Sequence, residues 1–211
     1  MSYHDTIVVR PAAELVQRAA QYSAATIGEA LGKRGDLPAL IKPISPAMKL
    51  CGPAITISSP PLDNLMLHQA IYAAESGDVL VTEVAGHYEA GYWGEIMTHA
   101  ALCRRIGGLL IDGCVRDGEL IAQMGFPVFA RGLCIRGTAK RGGGFLNKPI
   151  SIGEVRISPG DLVLGDRDGV VVIPQAEIVA VLAAAEKRNQ KETWVKDQLS
   201  LGKSTLEIYG W

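Results

Sequence analysis

Several absences narrow the field before any motif is read. The chain contains no run of about 18 apolar residues, which excludes a membrane-spanning helix. It has no excess of either charge: 21 Lys and Arg stand against 22 Asp and Glu, a formal net charge of −1, with no basic block. The usual electrostatic footprint of a nucleic-acid binder is therefore missing. The four cysteines, Cys51, Cys103, Cys114 and Cys134, form no Cys-x-x-Cys pair. That spacing argues against a structural zinc site and for reduced, mostly buried thiols in the cytoplasm. Met1-Ser2-Tyr3-His4-Asp5 shows no basic region leading into an apolar core, so no secretory signal is expected. There is no internal repeat, no low-complexity tract and no Gly-x-x-x-x-Gly-Lys-Ser/Thr phosphate loop. Asp166 and Asp168 are not followed by the glutamate that an EF-hand requires.

What is present suits a globular protein. At 211 residues and 48% apolar content, the chain can bury a substantial core and is too apolar to be disordered. Residues 11–35 read as helical, opened by Pro11, with a break near Tyr22-Ser23. In the second piece Glu29 faces away from Ile27 and Leu31. Residues 49–59 alternate and are rich in Ile and Thr, a strand that Pro60-Pro61 ends. Asp63 offers an N-cap to a helix over 64–75, and residues 79–84 form an apolar strand. Helices are expected over 96–105 and 118–124, and short strands over 107–111, 125–131 and 150–157. Residues 137–147 are a basic, glycine-rich loop that either lines a site or is mobile. Residues 162–164 and 170–173 flank Asp168-Gly169, a hairpin turn that Asp166 and Asp168 serve in preference to a metal. Pro174 opens a long helix to about 199, apolar on one face at first (Ile178, Val181, Leu182, Ala185) and polar from Lys187 to Glu192. The end, Leu206-Glu207-Ile208-Tyr209-Gly210-Trp211, is apolar again. Such a tail needs a surface to land on, and a neighbouring subunit supplies one. The pattern fits a single α/β domain over 1–211 with a mixed sheet and a C-terminal helix and tail, about 174–211, packed on a neighbour.

The chemistry gathers at two strand-to-helix junctions. Gly107-Gly108-Leu109-Leu110-Ile111-Asp112-Gly113 is an apolar strand ending in a turn, followed closely by Arg116-Asp117. Ligands of parallel sheets bind beyond the carboxyl ends of strands. A guanidinium holds a carboxylate by two parallel hydrogen bonds, and an aspartate suits a hard divalent cation. The plain alternative is a capped helix with a surface ion pair. Cys114 is nearby; packing suits it better than nucleophilic chemistry. The second junction, residues 85–95, is rich in glycine and aromatics and ends in Gly94-Glu95 at a helix start, where free N–H groups attract anions.

Gly94-Glu95, then twenty residues, then Arg116-Asp117 resembles the signature of the RraA-like family. Asp63-Asn64-Leu65, Gly77-Asp78-Val79-Leu80-Val81, Ile111-Asp112-Gly113, Gly125-Phe126-Pro127-Val128-Phe129 and Asp168-Gly169-Val170-Val171-Val172-Ile173-Pro174 extend the likeness over nearly the whole chain. That family includes class II pyruvate aldolases acting on 4-hydroxy-4-methyl-2-oxoglutarate and 4-carboxy-4-hydroxy-2-oxoadipate. The resemblance implies a β/β/α swivelling-type fold, trimers or hexamers with sites between subunits, and a divalent cation, Mg²⁺ or Mn²⁺. It implies metal contacts for Asp117 and Glu95, the latter replacing an aspartate of some aldolases. It implies that Arg116 holds the pyruvyl group, with Gly94 and the N–H groups of Ile96 and Met97 on the substrate carboxylate. Glu29 and Glu192 resemble acids supplied by a neighbouring subunit. The implied activity is metal-dependent retro-aldol cleavage releasing pyruvate, with oxaloacetate decarboxylation on the side. The resemblance equally covers regulators that bind an RNA-degrading endonuclease, and a related enzyme on another small 2-oxo acid is a third possibility. Lys140, Arg141 and His87 are candidates for a second substrate carboxylate.

Overall fold

A computed structural model describes residues 7–211, so the expectation drawn from the first five residues lies outside it. In chain order the elements are α1 (Ala13–Ala19), α2 (Ala24–Ala30), β1 (Lys42–Pro43), β2 (Leu50–Ser58), α3 (Leu65–Ala73), β3 (Val79–Glu83), α4 (Glu95–Cys103), β4 (Gly108–Ile111), β5 (Cys114–Val115) and α5 (Gly118–Met124). They continue with β6 (Val128–Ala130), β7 (Gly132–Leu133), β8 (Phe145–Leu146), β9 (Ile150–Ile152), β10 (Val155–Ile157), β11 (Leu162–Asp166), β12 (Gly169–Ile173), α6 (Ile178–Ser200) and α7 (Thr205–Tyr209).

The apolar runs at β3 and β4 are buried on both faces and form the parallel centre of the main sheet. The strand order is β1-β6-β4-β3-β2-β11-β12, with β8 also on β2. β2, β3, β4 and β6 are parallel, and Thr56, Val81, Leu110 and Phe129 stand in one row across them. Three successive crossovers through α3, α4 and α5 join these strands, so their carboxyl ends share one edge of the molecule. β11 and β12 form the expected hairpin, antiparallel to β2. The Lys42 ammonium on β1 donates to the Asp168 carbonyl beside β12, and Phe129 on β6 covers Gly165 on β11. The sheet is thereby nearly closed.

The break near Tyr22-Ser23 is real: the Ser23 hydroxyl accepts from the Thr26 N–H and caps α2. Asp166 serves the hairpin, as expected, accepting from the N–H groups of Asp168 (2.9 Å) and Ala24 (2.8 Å). Ile27, Leu31, Val171, Ile173, Ile178, Val181, Leu182 and Ala185 form a second core, where α2 and α6 cover the hairpin. Burying each large aliphatic side chain there contributes about 1.5–3 kcal/mol. Beyond Ala185, only Val195 of α6 is buried. Leu201, Leu206 and Trp211 remain exposed, and the Tyr209 and Trp211 rings stack on each other at 4.8 Å.

Two expectations are corrected. None of the four cysteines is fully buried: Cys103 is exposed, and Cys51, Cys114 and Cys134 are half-buried. Residues 150–157 are not one strand but a hairpin, β9 and β10, paired from Ile152↔Val155 to Ile150↔Ile157. Gly153 reverses the chain at φ +59°, a conformation glycine adopts freely. The inward isoleucines keep their alternation on either side, which hides the turn in the sequence. The 137–147 loop also ends in a strand, β8, that joins β2.

Candidate active site

The loop after β3 returns to the sheet through two buried aromatics. The Tyr92 hydroxyl accepts from the Leu62 N–H (3.1 Å) and donates to the His87 carbonyl (2.8 Å). The Trp93 indole N–H donates to the Thr98 hydroxyl (2.7 Å), which donates to the Gly94 carbonyl (3.1 Å). Trp93 also stacks on Phe126, with centroids 5.9 Å apart. These contacts hold Gly94 as the N-cap of α4.

The junction after β4 is built separately. Buried Asp112 pairs with Arg131 at 2.6 Å, and the guanidinium lies 3.8 Å from the centre of the Tyr88 ring. β5 then pairs with β7, and the Arg116 N–H donates to the Trp93 carbonyl at 2.8 Å. This bond ties the two junctions together. Asp117 follows in the left-handed region, φ 58° and ψ 34°, which a short polar side chain tolerates. Its Oδ2 accepts from the Glu95 N–H at 3.0 Å and lies 3.6 Å from Arg116 Nε. A Cβ on Gly94 would sit 2.5 Å from that oxygen, so only glycine permits the approach.

The junctions open on a cleft of about 440 Å³. Gly94, Glu95, Ile96, Met97, Arg116 and Asp117 all line it. The first-turn N–H groups of Ile96 and Met97 have no acceptor among the described residues. Lys140 and Thr138 of the 137–147 loop line it too, with His68 of α3. Burial, and then the Lys140 charge, lower the His68 pKa and favour its neutral form. Arg141 instead borders a separate hollow with Pro60 and Pro61, and His87 does not line the cleft. Glu29 and Glu192 stand outside it, sharing Arg188 at 3.4 and 2.9 Å. Burial pushes the Cys114 thiol up, which disfavours a reactive thiolate and suits the packing role.

Asn64 went unread as a site residue. It is buried in the cleft wall, where its amide N–H₂ donates to the Tyr92 carbonyl (2.8 Å) and its Oδ1 has no partner. Asn64 is the N-cap of α3 and His68 lies four residues further on, a spacing that could have placed both on one side of the helix. Among the described residues, no group of three His, Cys, Asp or Glu could cage a metal. The donor set instead fits a hydrated hard cation held through the Asp117 carboxylate, with Glu95 beside it.

A nearly closed mixed sheet with two such junctions at one edge defines the class. Residues 24–172 match the RraA-like family, described as Aldolase/RraA, and the chain belongs to that family. A relative from Halalkalibacterium halodurans, provisionally named 4-hydroxy-4-methyl-2-oxoglutarate aldolase, is 36% identical over 185 residues, 86% of this chain and 88% of that one. An uncharacterised protein of Pseudomonas syringae pv. tomato has a solved structure that superposes with a TM-score of 0.85 at 30% identity, covering 99% of this chain and 98% of that one. Streptomyces coelicolor RraAS2, described as an unusual member of the RNase ES inhibitor RraA protein family, superposes at 0.79 with 27% identity, covering 89% and 98%.

Proposed function

We propose that this protein is a divalent-metal-dependent class II pyruvate aldolase. Its substrate is 4-hydroxy-4-methyl-2-oxoglutarate or 4-carboxy-4-hydroxy-2-oxoadipate, and it decarboxylates oxaloacetate as a side activity. The observation that carries this reading is the Arg116-Asp117 turn, set against the start of α4 in one small cleft. The name of the Halalkalibacterium relative supports it.

The N–H groups of Ile96 and Met97 receive the substrate carboxylate, and Arg116 faces the 2-oxo oxygen. Asp117 and Glu95 hold Mg²⁺ or Mn²⁺, which supplies Lewis-acid polarisation of the 2-oxo group. Glu95 takes the C4 hydroxyl proton through an intervening water. The C3–C4 bond then breaks, and its electron pair moves into the C2 carbonyl, giving pyruvate enolate and a carbonyl product. Arg116 stabilises the charge on the enolate oxygen. Returning the proton to C3 completes pyruvate. The exposed α6–α7 tail packs on a neighbouring subunit in a trimer or hexamer, and the neighbour's copies of Glu29 and Glu192 approach the cleft.

One observation favours a second reading, a regulator that binds an RNA-degrading endonuclease: the likeness to RraAS2. The first test is pyruvate release by purified protein, followed by coupled reduction to lactate, with each of the three acids and with Mg²⁺ or a chelator. Metal-dependent cleavage of either aldol is expected. No turnover of any acid, with metal bound, would favour the regulator.

A further inference from the structure

Behind the Arg116-Asp117 turn, three residues that do not line the cleft close a bracket: Tyr88, Asp112 and Arg131. Asp112 follows β4 and is 7% exposed. Its Oδ1 accepts from Arg131 Nε at 2.6 Å. The Arg131 guanidinium also lies over the Tyr88 ring, a cation–π contact. Backbone bonds join the same three residues. The Arg131 N–H donates to the Gly113 carbonyl (2.9 Å), and the Cys114 N–H donates to the Tyr88 carbonyl (3.0 Å). The turn Asp112-Gly113-Cys114 is thus held from the start of β7 on one side and from the loop after β3 on the other. An ion pair this enclosed returns little net stability once its desolvation is counted. Its directional, charge-assisted bond instead fixes where β7 lies against β5.

That placement makes the seat of Arg116. Cys114 pairs with Gly132 and Val115 with Leu133, and the Cys134 N–H donates to the Val115 carbonyl at 2.8 Å. The Arg116 stem comes next. A Cβ on Gly91 would sit 3.0 Å from Arg116 Cβ, 3.2 Å from its Cδ and 2.5 Å from the Cys134 carbonyl oxygen. The stem therefore runs along Gly91, beside the backbone of Cys134, before its guanidinium reaches the cleft. Among the described residues that guanidinium has one ion-pair contact, Asp117 at 3.6 Å, too long to be a hydrogen bond. Its aim is set by the seat beneath it, and a shift of β7 against β5 would move that seat.

We propose that Asp112, Arg131 and Tyr88 are positioning residues that set Arg116 for 2-oxo acid binding from outside the cleft. This deepens the aldolase reading and rests on it.

Calorimetric titration of pyruvate in Mg²⁺ tests it without turnover. Asp112→Ala, shown to be folded by its unfolding transition, should weaken pyruvate binding about tenfold, the scale of one charge-assisted hydrogen bond. Asp112→Asn keeps an acceptor for Arg131 and should recover most of that loss. Tyr88→Leu leaves the ion pair in place and should weaken binding about threefold. A double-mutant cycle separates positioning from a general effect on the fold. Arg116→Ala weakens binding by itself, and neither Asp112→Ala nor Tyr88→Leu should add to that loss, because no guanidinium is left to position. Full affinity in folded Asp112→Ala overturns the inference; where that variant does not fold, full affinity in Tyr88→Leu does so. A loss that persists in the Arg116→Ala background also overturns it, since the three residues would then act on the fold at large. Wild-type protein that does not bind pyruvate overturns the aldolase reading, and the inference falls with it.

Discussion

Asp117 is held in the left-handed region by its neighbours rather than by its own preference. An L-residue there costs about 1–2 kcal/mol, and the extra freedom of an unfolded glycine costs about 0.5–1 kcal/mol in return. Asp117→Gly should therefore change the unfolding free energy by less than about 1 kcal/mol, while metal-dependent pyruvate release is lost. A urea midpoint and the coupled assay measure the two separately. Arg116→Ala should behave alike. Its contact with Asp117 is half exposed and worth about 0–1 kcal/mol to stability, but under the proposed aldolase mechanism its loss should cost about 10²–10³-fold in kcat. A variant retaining near-full activity would remove Arg116 from the mechanism.

At the scale of elements, the loop after β3 matters as much as the strands. Tyr92→Phe leaves the Leu62 N–H and the His87 carbonyl without their partner, at a cost of about 1–3 kcal/mol, and should lower the unfolding temperature measurably. The sequence displays part of this arrangement. Apolar runs such as Leu109-Leu110-Ile111 announce buried strands, and Asp168-Gly169 announces a hairpin, because each signal is local. The Arg116-Asp117 and Gly94-Glu95 junctions were legible because strand ends and helix starts have their own chemistry. Tyr92 and Asn64 were not, since the Leu62–Tyr92 and Asn64–Tyr92 bonds each join residues about thirty apart and nothing local marks them. β5, β7 and β8 are two-residue strands, too short to show periodicity, so their pairings were hidden. The order of the sheet was equally hidden, because alternation says which face is buried and not which strand lies alongside.

At the scale of the whole molecule, α6 leaves the core after Ala185, and its far end and α7 expose apolar groups that the proposed neighbouring subunit would cover. Removing residues 204–211 should lower the assembly mass seen by light scattering, without changing the α2–α6 core, which ends well before the cut. An unchanged mass would show that the tail does not hold the subunits together. The cleft divides by origin. One wall grows from the parallel strands, and its residues are locked to the main core. The other is a single excursion of the chain, clasped where it leaves by Asp63 and where it rejoins by β8. Thr138 and Lys140, which it puts into the cleft, lie outside every strand, so their side chains can vary without disturbing any strand register. The protein is therefore built like a tool with a permanent jaw and a replaceable one: on the aldolase reading, exchanging that excursion should redirect which acid is accepted and leave the bond-breaking apparatus in place.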